Sequence, residues 1–507
     1  MFLRKPVEQI DEGLNTELHR SLGKWQLTAL GVGAIIGAGI FSGAGTAIAG
    51  GEGHLGAGPA LVVSYILVAI ACGFAALCYA EFAAMIPKAG SAYTYAYATL
   101  GEVIAWIIGW DLIIEYAIGN IAVAISWSGY FQELLRGFGF ALPEWLATDY
   151  ITAFRDARLL EQATAAGTDL STLPAHVMQA ANAVETAPHL FGFPVIFNLP
   201  AVLIVALITW VLVRGVNESA WTNTGMVLLK LAILAFFIIA GAFYVRPENW
   251  TPFAPNGFHG VWTGAALIFF AYIGFDAVST AAEESKNPQK DMPFAMMMSL
   301  AVTSVIYIVT TLVLTGLVPW QNLGTAEPLA TAFGERGLNA GAMLISIGAL
   351  AATTSVLLVF QMGQPRIFYS MARDGLLPPW AAKVHPKYRT PHVTTILTGV
   401  FVAGFAAFAP IDAIIELTNI GTLFAFVLVA IGILVLRKID PDRARPFRTP
   451  LVPLVPILAI VSCVGLMLGL PLDTWIRFGL WLLAGLVVYL LYGRKHSVLR
   501  RQMRGDS

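Results

Sequence analysis

Gly31-Val-Gly-Ala-Ile-Ile-Gly-Ala-Gly-Ile-Phe41 is the stretch that decides how this chain folds. It lies inside an apolar run long enough to cross a bilayer, yet Gly31, Gly33, Gly37 and Gly39 crowd one short segment. Each Gly loosens a helix by ~1 kcal/mol relative to Ala. A helix broken there frees backbone N–H and C=O groups at mid-membrane, which is tolerated only where they line a cavity or bind something. N–H groups at the start of a half-helix attract a carboxylate. Close helix packing through small residues is the alternative. A second stretch, Ala266-Leu-Ile-Phe-Phe-Ala-Tyr-Ile-Gly-Phe-Asp-Ala-Val-Ser-Thr280, carries Gly274 at its centre and an acid, Asp276. Unwinding near Phe270–Gly274 would offer carbonyls to an ammonium group, with Phe270 and Tyr272 able to close over it. A kinked but continuous helix with aromatic core residues is the alternative here. The two stretches fall at matching places in two halves of the chain. Paired interruptions of this kind point to a binding site in transporters built from inverted repeats.

Composition agrees with a membrane setting. The chain is 57% hydrophobic and only 12% charged, against about 25% charged in a soluble globular chain. A ruler of about 20 apolar residues gives about twelve segments. They fall near 26–49, 59–86, 100–136, 196–214, 219–245, 260–282, 293–318, 338–372, 392–409, 411–436, 453–471 and 474–492. With the N-terminus in the cytoplasm, Arg136, Arg155, Arg158, Arg246, Arg336 and Arg477 fall outside and Lys230 within the membrane. The rest of the 30 Lys and Arg lie inside, as the positive-inside rule asks. Both termini are then expected in the cytoplasm of a multi-pass cell-membrane protein, and residues 1–24 do not read as a cleavable signal. The polar stretch 141–195 becomes a long outside loop. Short surface helices are expected around Leu159–Ala166 and His176–Val184, serving as decoration or as a lid over the outer mouth.

Charges inside the spans mark function. Lys230 sits in Met226-Val-Leu-Leu-Lys-Leu-Ala-Ile-Leu-Ala-Phe-Phe-Ile-Ile239. Its depth makes snorkelling to the headgroups a strained alternative, so it points to an ion or proton pathway. Glu115 follows Asp111 by one turn on the same helix face. It is a candidate for the substrate cavity, with a structural hydrogen bond as the alternative. Asp276 reads as an inner-gate acid, with Arg366 as a candidate partner. Glu283 and Glu284 read as interfacial, and the polar groups near Asn419 read as helix packing.

Several motifs carry a resemblance. Gly33–Phe41, Phe269–Ser279, Glu283-Glu-Ser-Lys-Asn-Pro-Gln-Lys-Asp-Met-Pro293 and Gly363-Gln-Pro-Arg-Ile-Phe-Tyr-Ser-Met-Ala-Arg-Asp-Gly-Leu-Leu-Pro378 resemble the amino acid–polyamine–organocation superfamily. Within it the chain is similar to bacterial members of the cationic amino acid transporter family, from about residue 20 to 495. The resemblance implies an all-α polytopic membrane protein with the leucine-transporter-like fold. Two inverted five-helix repeats would span 26–245 and 246–437, two further helices 438–492, and cytoplasmic segments 1–25 and 493–507. It implies an L-amino acid held at the midpoint. Gly37, Ala38, Gly39 and Ile40 would surround its carboxylate, with the Ala38 and Gly39 N–H groups binding it. The Ile35, Phe270 and Ile273 carbonyls, beside Ala271, would hold its ammonium. Phe270 would gate, and Lys230 would stand where relatives place a sodium ion. Charged Lys230 would bond to carbonyls of the first-helix break and to eighth-span hydroxyls (Thr353, Thr354 or Ser355), and Thr353 adds polarity near the pocket. The 141–195 loop is longer than the family pattern.

These features lead us to expect proton-coupled uptake by alternating access. An amino acid or amine exchanger without net proton movement is the alternative. A membrane-embedded enzyme lacks support, because no His-Glu-x-x-His, Gly-x-Ser-x-Gly or intramembrane Asp pair is present. No filter-like repeat suggests a channel. The net charge of -1 gives no nucleic-acid footprint. No cofactor or metal is expected. The expected partners are the amino acid, a proton and the lipid bilayer, with room for a small membrane partner.

Overall fold

The computed structural model describes residues 22–51, 54–86, 91–166, 175–215, 220–276, 278–279 and 285–504; Glu283 and Glu284 lie outside them. The protein is helical almost throughout. Among the described residues, eight helical segments are long and apolar enough to cross a membrane: Lys24–Ala49, Gly58–Met85, Glu102–Gly137, Gly225–Ala242, Pro288–Leu317, Asn339–Arg373, Ile411–Ile439 and Leu472–His496. Three shorter apolar helices, Leu199–Arg214, His392–Phe408 and Leu454–Met467, join them. The remaining apolar segment of the sequence reading is an interrupted one that begins with Gly257–Ile268.

In chain order the elements that matter are α1 (Lys24–Ile35), α2 (Ala44–Ala49), α3 (Leu61–Met85), α4 (Ser91–Thr99), α5 (Glu102–Ile113) and α6 (Gly119–Gly137). Next come α7 (Tyr150–Ala165), α8 (Ala175–Thr186), α9 (Leu199–Arg214), α10 (Ala220–Ala242), α11 (Gly257–Ile268) and α12 (Pro288–Leu317). The last are α13 (Pro328–Glu335), α14 (Asn339–Arg373), α15 (His392–Phe408), α16 (Ile411–Ile439), α17 (Leu454–Met467), α18 (Leu472–Val488) and α19 (Val498–Arg504). The sequence reading did not anticipate the short helices α4 and α13.

Small residues let the helices approach, as expected where lipid provides no hydrophobic drive between them. A Cβ on Gly348 of α14 would lie 2.2 Å from Ile233 of α10, and one on Gly399 of α15 would lie 2.2 Å from Thr209 of α9. Buried hydroxyls bond back to their own helices, as Thr303 does to the Ser299 carbonyl (2.8 Å). Two buried carboxylates fasten one face of the bundle. Glu81 at the end of α3 accepts from Arg437 (2.8 Å) and from the Thr449 N–H (2.7 Å). Glu102, at the start of α5, accepts from Arg500 (2.6 Å) and Tyr489 (2.7 Å), and from the Ser497 hydroxyl.

The described parts of the 141–195 stretch, 141–166 and 175–195, form a small helical body. The helix α7 begins well before the expected Leu159, because Asp149 caps it by accepting the Thr152 N–H (2.8 Å). Ala153, Ala183, Ala187 and Ile196 form a core of their own. Arg155 ties the body to the start of α16 through Asp412 (3.1 Å).

Candidate functional site

Both Gly-marked segments are broken. At the first, α1 stops at Ile35 and Ile36 turns extended (φ -75, ψ 101). Ala38 returns to helical angles, Gly39–Gly43 form a wide π turn, and α2 follows. Across this gap the ladder resumes with Phe41 N–H on the Gly37 carbonyl (3.3 Å). The N–H groups of Ala38, Gly39 and Ile40 find no backbone acceptor among the described residues. At the second, α11 tightens into a 3₁₀ turn over Phe269–Tyr272. Ile273 is then extended (φ -60, ψ 133) and Gly274 adopts φ +117, where an L side chain is strained.

The two breaks touch. A Cβ on Gly39 would lie 2.2 Å from the Ala271 Cα, and one on Gly274 would lie 2.9 Å from the Ala34 carbonyl. Each break therefore uses its glycine to admit the backbone of the other. Gly37 instead admits a side chain of the eighth apolar segment, Val356 of α14, which a Cβ at Gly37 would approach to 2.7 Å. The Phe270 ring lies beside Gly43 in the second half of the first segment.

Side chains from neighbouring helices hold the freed carbonyls. The Lys230 ammonium, buried on α10, donates to the Gly33 carbonyl (2.7 Å) in the last turn of α1. That is the negative end of the half-helix dipole, where a cation is favoured. The Tyr307 hydroxyl on α12 reaches both the Ile35 and Ala271 carbonyls (2.9 Å each), so one side chain spans both breaks. Asn419 on α16 donates to Ala266 (2.8 Å) and Leu267 (2.7 Å), the terminal carbonyls of α11. Tyr130 on α6 donates to the Phe41 carbonyl. Ser42 joins Ser126 and the Ala326 carbonyl.

Thr353 is buried on α14, one turn before Val356, and its hydroxyl bonds back to Ala349 (2.7 Å). Thr354 accepts from Trp127 (3.0 Å) and donates to Leu350 (2.6 Å). Lys230 thus meets a carbonyl of the first break, as expected, while the Thr353 and Thr354 hydroxyls donate to their own helix. Glu115 occupies a π turn, Ile114–Ile118, between α5 and α6, and such turns gather at functional sites. Its carboxyl faces that of Asp276, which also receives the Gly274 N–H (3.3 Å). Asp276 is fully buried, while Arg366 is exposed.

Outside this centre lies a cavity of about 1230 Å³ between the 141–195 body and the bundle. Thr46, Gly129, Arg155, Glu327 and Asp412 are among the residues that line it. The Ser42–Ser126 bond lies one helical turn from Thr46 and Gly129, toward the first break. Burial pushes the Glu327 carboxyl up to about 7.

Sequence reasoning missed Tyr307, Asn419, Ser42 and Tyr130 as parts of the site. Tyr and Ser in apolar helices read as ordinary packing, and nothing local shows which carbonyl they will meet.

The match to the family described as amino acid permease covers residues 22–491. The chain is 44% identical to a branched-chain amino acid permease of Bacillus subtilis over 504 residues, 99% of each protein. It is also 44% identical to a methylthioribose transporter of the same organism over 502 residues, again 99% of each. A vacuolar cationic amino acid transporter of Arabidopsis thaliana is 34% identical over 432 residues, covering 84% of this chain and 64% of that one. The broken, mutually packed helices and these matches lead to one conclusion: the chain belongs to the amino acid permease family of the amino acid–polyamine–organocation superfamily, and is a multi-pass helical membrane transporter of amino acids, not an enzyme.

Proposed function

We propose that the protein takes up an L-amino acid together with a proton by alternating access between two inverted five-helix repeats, 26–245 and 246–437, followed by two further helices. The packing supports this pseudo-symmetry. α1–α2 meets α11 and its 3₁₀ turn, α3 meets α12, α6 meets α14, and α9 meets α15. Each partner lies five apolar segments on. The off-diagonal pairs match too: α10 packs on α14 as α16 packs on α6, and α1 on α12 as α11 on α3.

The observation that carries the reading is the contact between the breaks. One presents N–H groups without backbone acceptors and the other an unwound stretch rich in carbonyls. A zwitterion needs that pair of opposite dipoles. Ala38, Gly39 and Ile40 would take the carboxylate. Ile35, Phe270, Ala271 and Ile273 would take the ammonium, with Tyr307 yielding its place on the Ile35 and Ala271 carbonyls. Ile40, Phe270, Ile273 and Val356 give the substrate side chain an apolar setting, which favours a branched aliphatic amino acid. Glu115 stands at the inner edge against Asp276, and Phe270 closes the outer side. The proton would ride on Lys230. Losing it weakens a charge-assisted bond to the first break, which frees α1 to move relative to α10. Substrate and proton then bias the same pair of states.

Uptake into proteoliposomes under an imposed pH gradient tests this. Leucine uptake should rise with an inward proton gradient and be blocked by leucine, valine or isoleucine. Uptake indifferent to the gradient but driven by internal amino acid would mean exchange. Competition by methylthioribose and not by leucine would move the substrate away from amino acids, because a sugar has no carboxylate for the N–H groups.

A further inference from the structure

The hairpin β1 (His189–Leu190) and β2 (Phe193–Pro194) closes the 141–195 body, pairing His189 with Pro194 and Leu190 with Phe193. Its turn is Phe191-Gly192, with φ +52 and φ +84. Two-residue turns with both φ angles positive favour Asn-Gly or Asp-Gly. A Phe there is held in the left-handed region, at a conformational cost that needs an offsetting gain. Inside the protein it finds none. Phe191 is 92% exposed, Phe193 72% and Leu190 61%. A Cβ on Gly192 would meet nothing within 4 Å, so the tip stands clear of the rest of the chain.

The position of the hairpin says what covers it. The helix α9 starts at Leu199, five residues beyond Pro194, and has 16 residues. At ~1.5 Å per residue it is about 24 Å long, short of the ~30 Å hydrocarbon layer. Its far end is Arg214, stacked on Trp210 (4.5 Å), and a charged residue there marks a headgroup boundary. The missing length therefore falls at the Leu199 end, beside the hairpin. Asn198 N–H bonds the Ala407 carbonyl (3.0 Å), placing the end of α15 at the same level, with Phe405 and Phe408 exposed next to it. From Ala187 to Asn198 no Asp, Glu, Lys or Arg occurs.

We propose that the hairpin Pro188–Pro194 is an interfacial membrane anchor. Leu190, Phe191 and Phe193 enter the headgroup–acyl boundary of the leaflet next to the start of α9, and seat the 141–195 body on the bilayer. Apolar and aromatic side chains at that depth are favourable. Such an anchor requires α9 in the membrane and is independent of the transport mechanism, the substrate and the sidedness.

Spin labels at Leu190→Cys, Phe191→Cys and Phe193→Cys, in full-length protein in phosphatidylcholine–phosphatidylglycerol vesicles, test it. Cys72, Cys78 and Cys463 are buried, so labelling is directed to the new thiol. Phe191 makes little internal packing, so its variant should fold. Collisions with oxygen should exceed those with a water-soluble nickel chelate severalfold at all three sites. Greater access to the nickel chelate would overturn the proposal. Spin–spin broadening that disappears on dilution with unlabelled protein would overturn it as well, assigning the surface to a second copy.

Discussion

The two breaks are chemically opposite and mechanically unequal. The first restarts as helix within a few residues and is held from three sides, by Lys230, Tyr307 and Tyr130. The second passes through an extended Ile273 and a left-handed Gly274 before the Val278 N–H meets the Phe275 carbonyl (3.3 Å) in a 3₁₀ turn, with Asn419 holding its helical end and Tyr307 the Ala271 carbonyl. An early restart leaves N–H groups pointing forward. A tight 3₁₀ turn followed by an extended residue leaves carbonyls. The difference teaches that two glycine-marked interruptions can present opposite polarities, as an asymmetric ligand requires, by varying the kind of turn at each one.

Removing the glycine that lets the breaks touch should cost most. Gly39→Val drives its side chain into the Ala271 backbone, which has no flexible end to move aside. Overpacking of this kind costs about 1–3 kcal/mol even without backbone collision. Uptake should vanish, and fluorescence size-exclusion chromatography would show whether folded protein survives. If Gly39→Val transports normally, the breaks do not form the site.

Lys230→Met comes next. A charge-assisted bond is worth about 1.5–3 kcal/mol, roughly 10- to 150-fold in an equilibrium. Proton-driven uptake should fall by that order while counterflow exchange is less affected. Equal loss in both assays would make Lys230 a brace rather than a proton carrier.

Tyr307→Phe removes the donor that the two breaks share. About 0.5–1.5 kcal/mol follows from one neutral hydrogen bond. The concentration for half-maximal uptake should shift a few-fold, in either direction, with expression unchanged. Asn419→Leu should act on the second break alone, lowering thermal stability without altering the pH-gradient dependence.

The smallest effect belongs to Glu327, outside the breaks. Burial raises its carboxyl from 4.5 to about 7, so the folded chain holds a proton that the unfolded chain has lost. Stability should therefore decline as pH rises from about 4.5 to about 7. Glu327→Gln should flatten that decline by a few degrees of apparent melting temperature, given the size scaling of such shifts.

Much of this arrangement is written locally. Closely spaced Gly in an apolar run announces a break, because helix propensity acts residue by residue. A Lys in mid-span announces a partner for the same reason. Tyr307 and Asn419 are silent, since their meaning lies in which distant carbonyl they reach. Asn419 read as packing and instead braces α11. Thr353 read as pocket polarity, and its hydroxyl proton goes to its own helix while its oxygen remains an acceptor. The start of α7 was legible in Asp149, a capping residue three before Thr152. The hairpin that follows carries its signal in a turn angle and in the length of the next helix, which neither composition nor periodicity reveals.

The grip of Arg500, Ser497 and Tyr489 on Glu102 has a practical sequel. The end of the described chain is stapled to the start of α5 and travels with it. A fluorophore attached beyond Arg504 would report the starting end of the third apolar segment, whereas trimming the chain before Ser497 would cut that linkage and strand a buried acid.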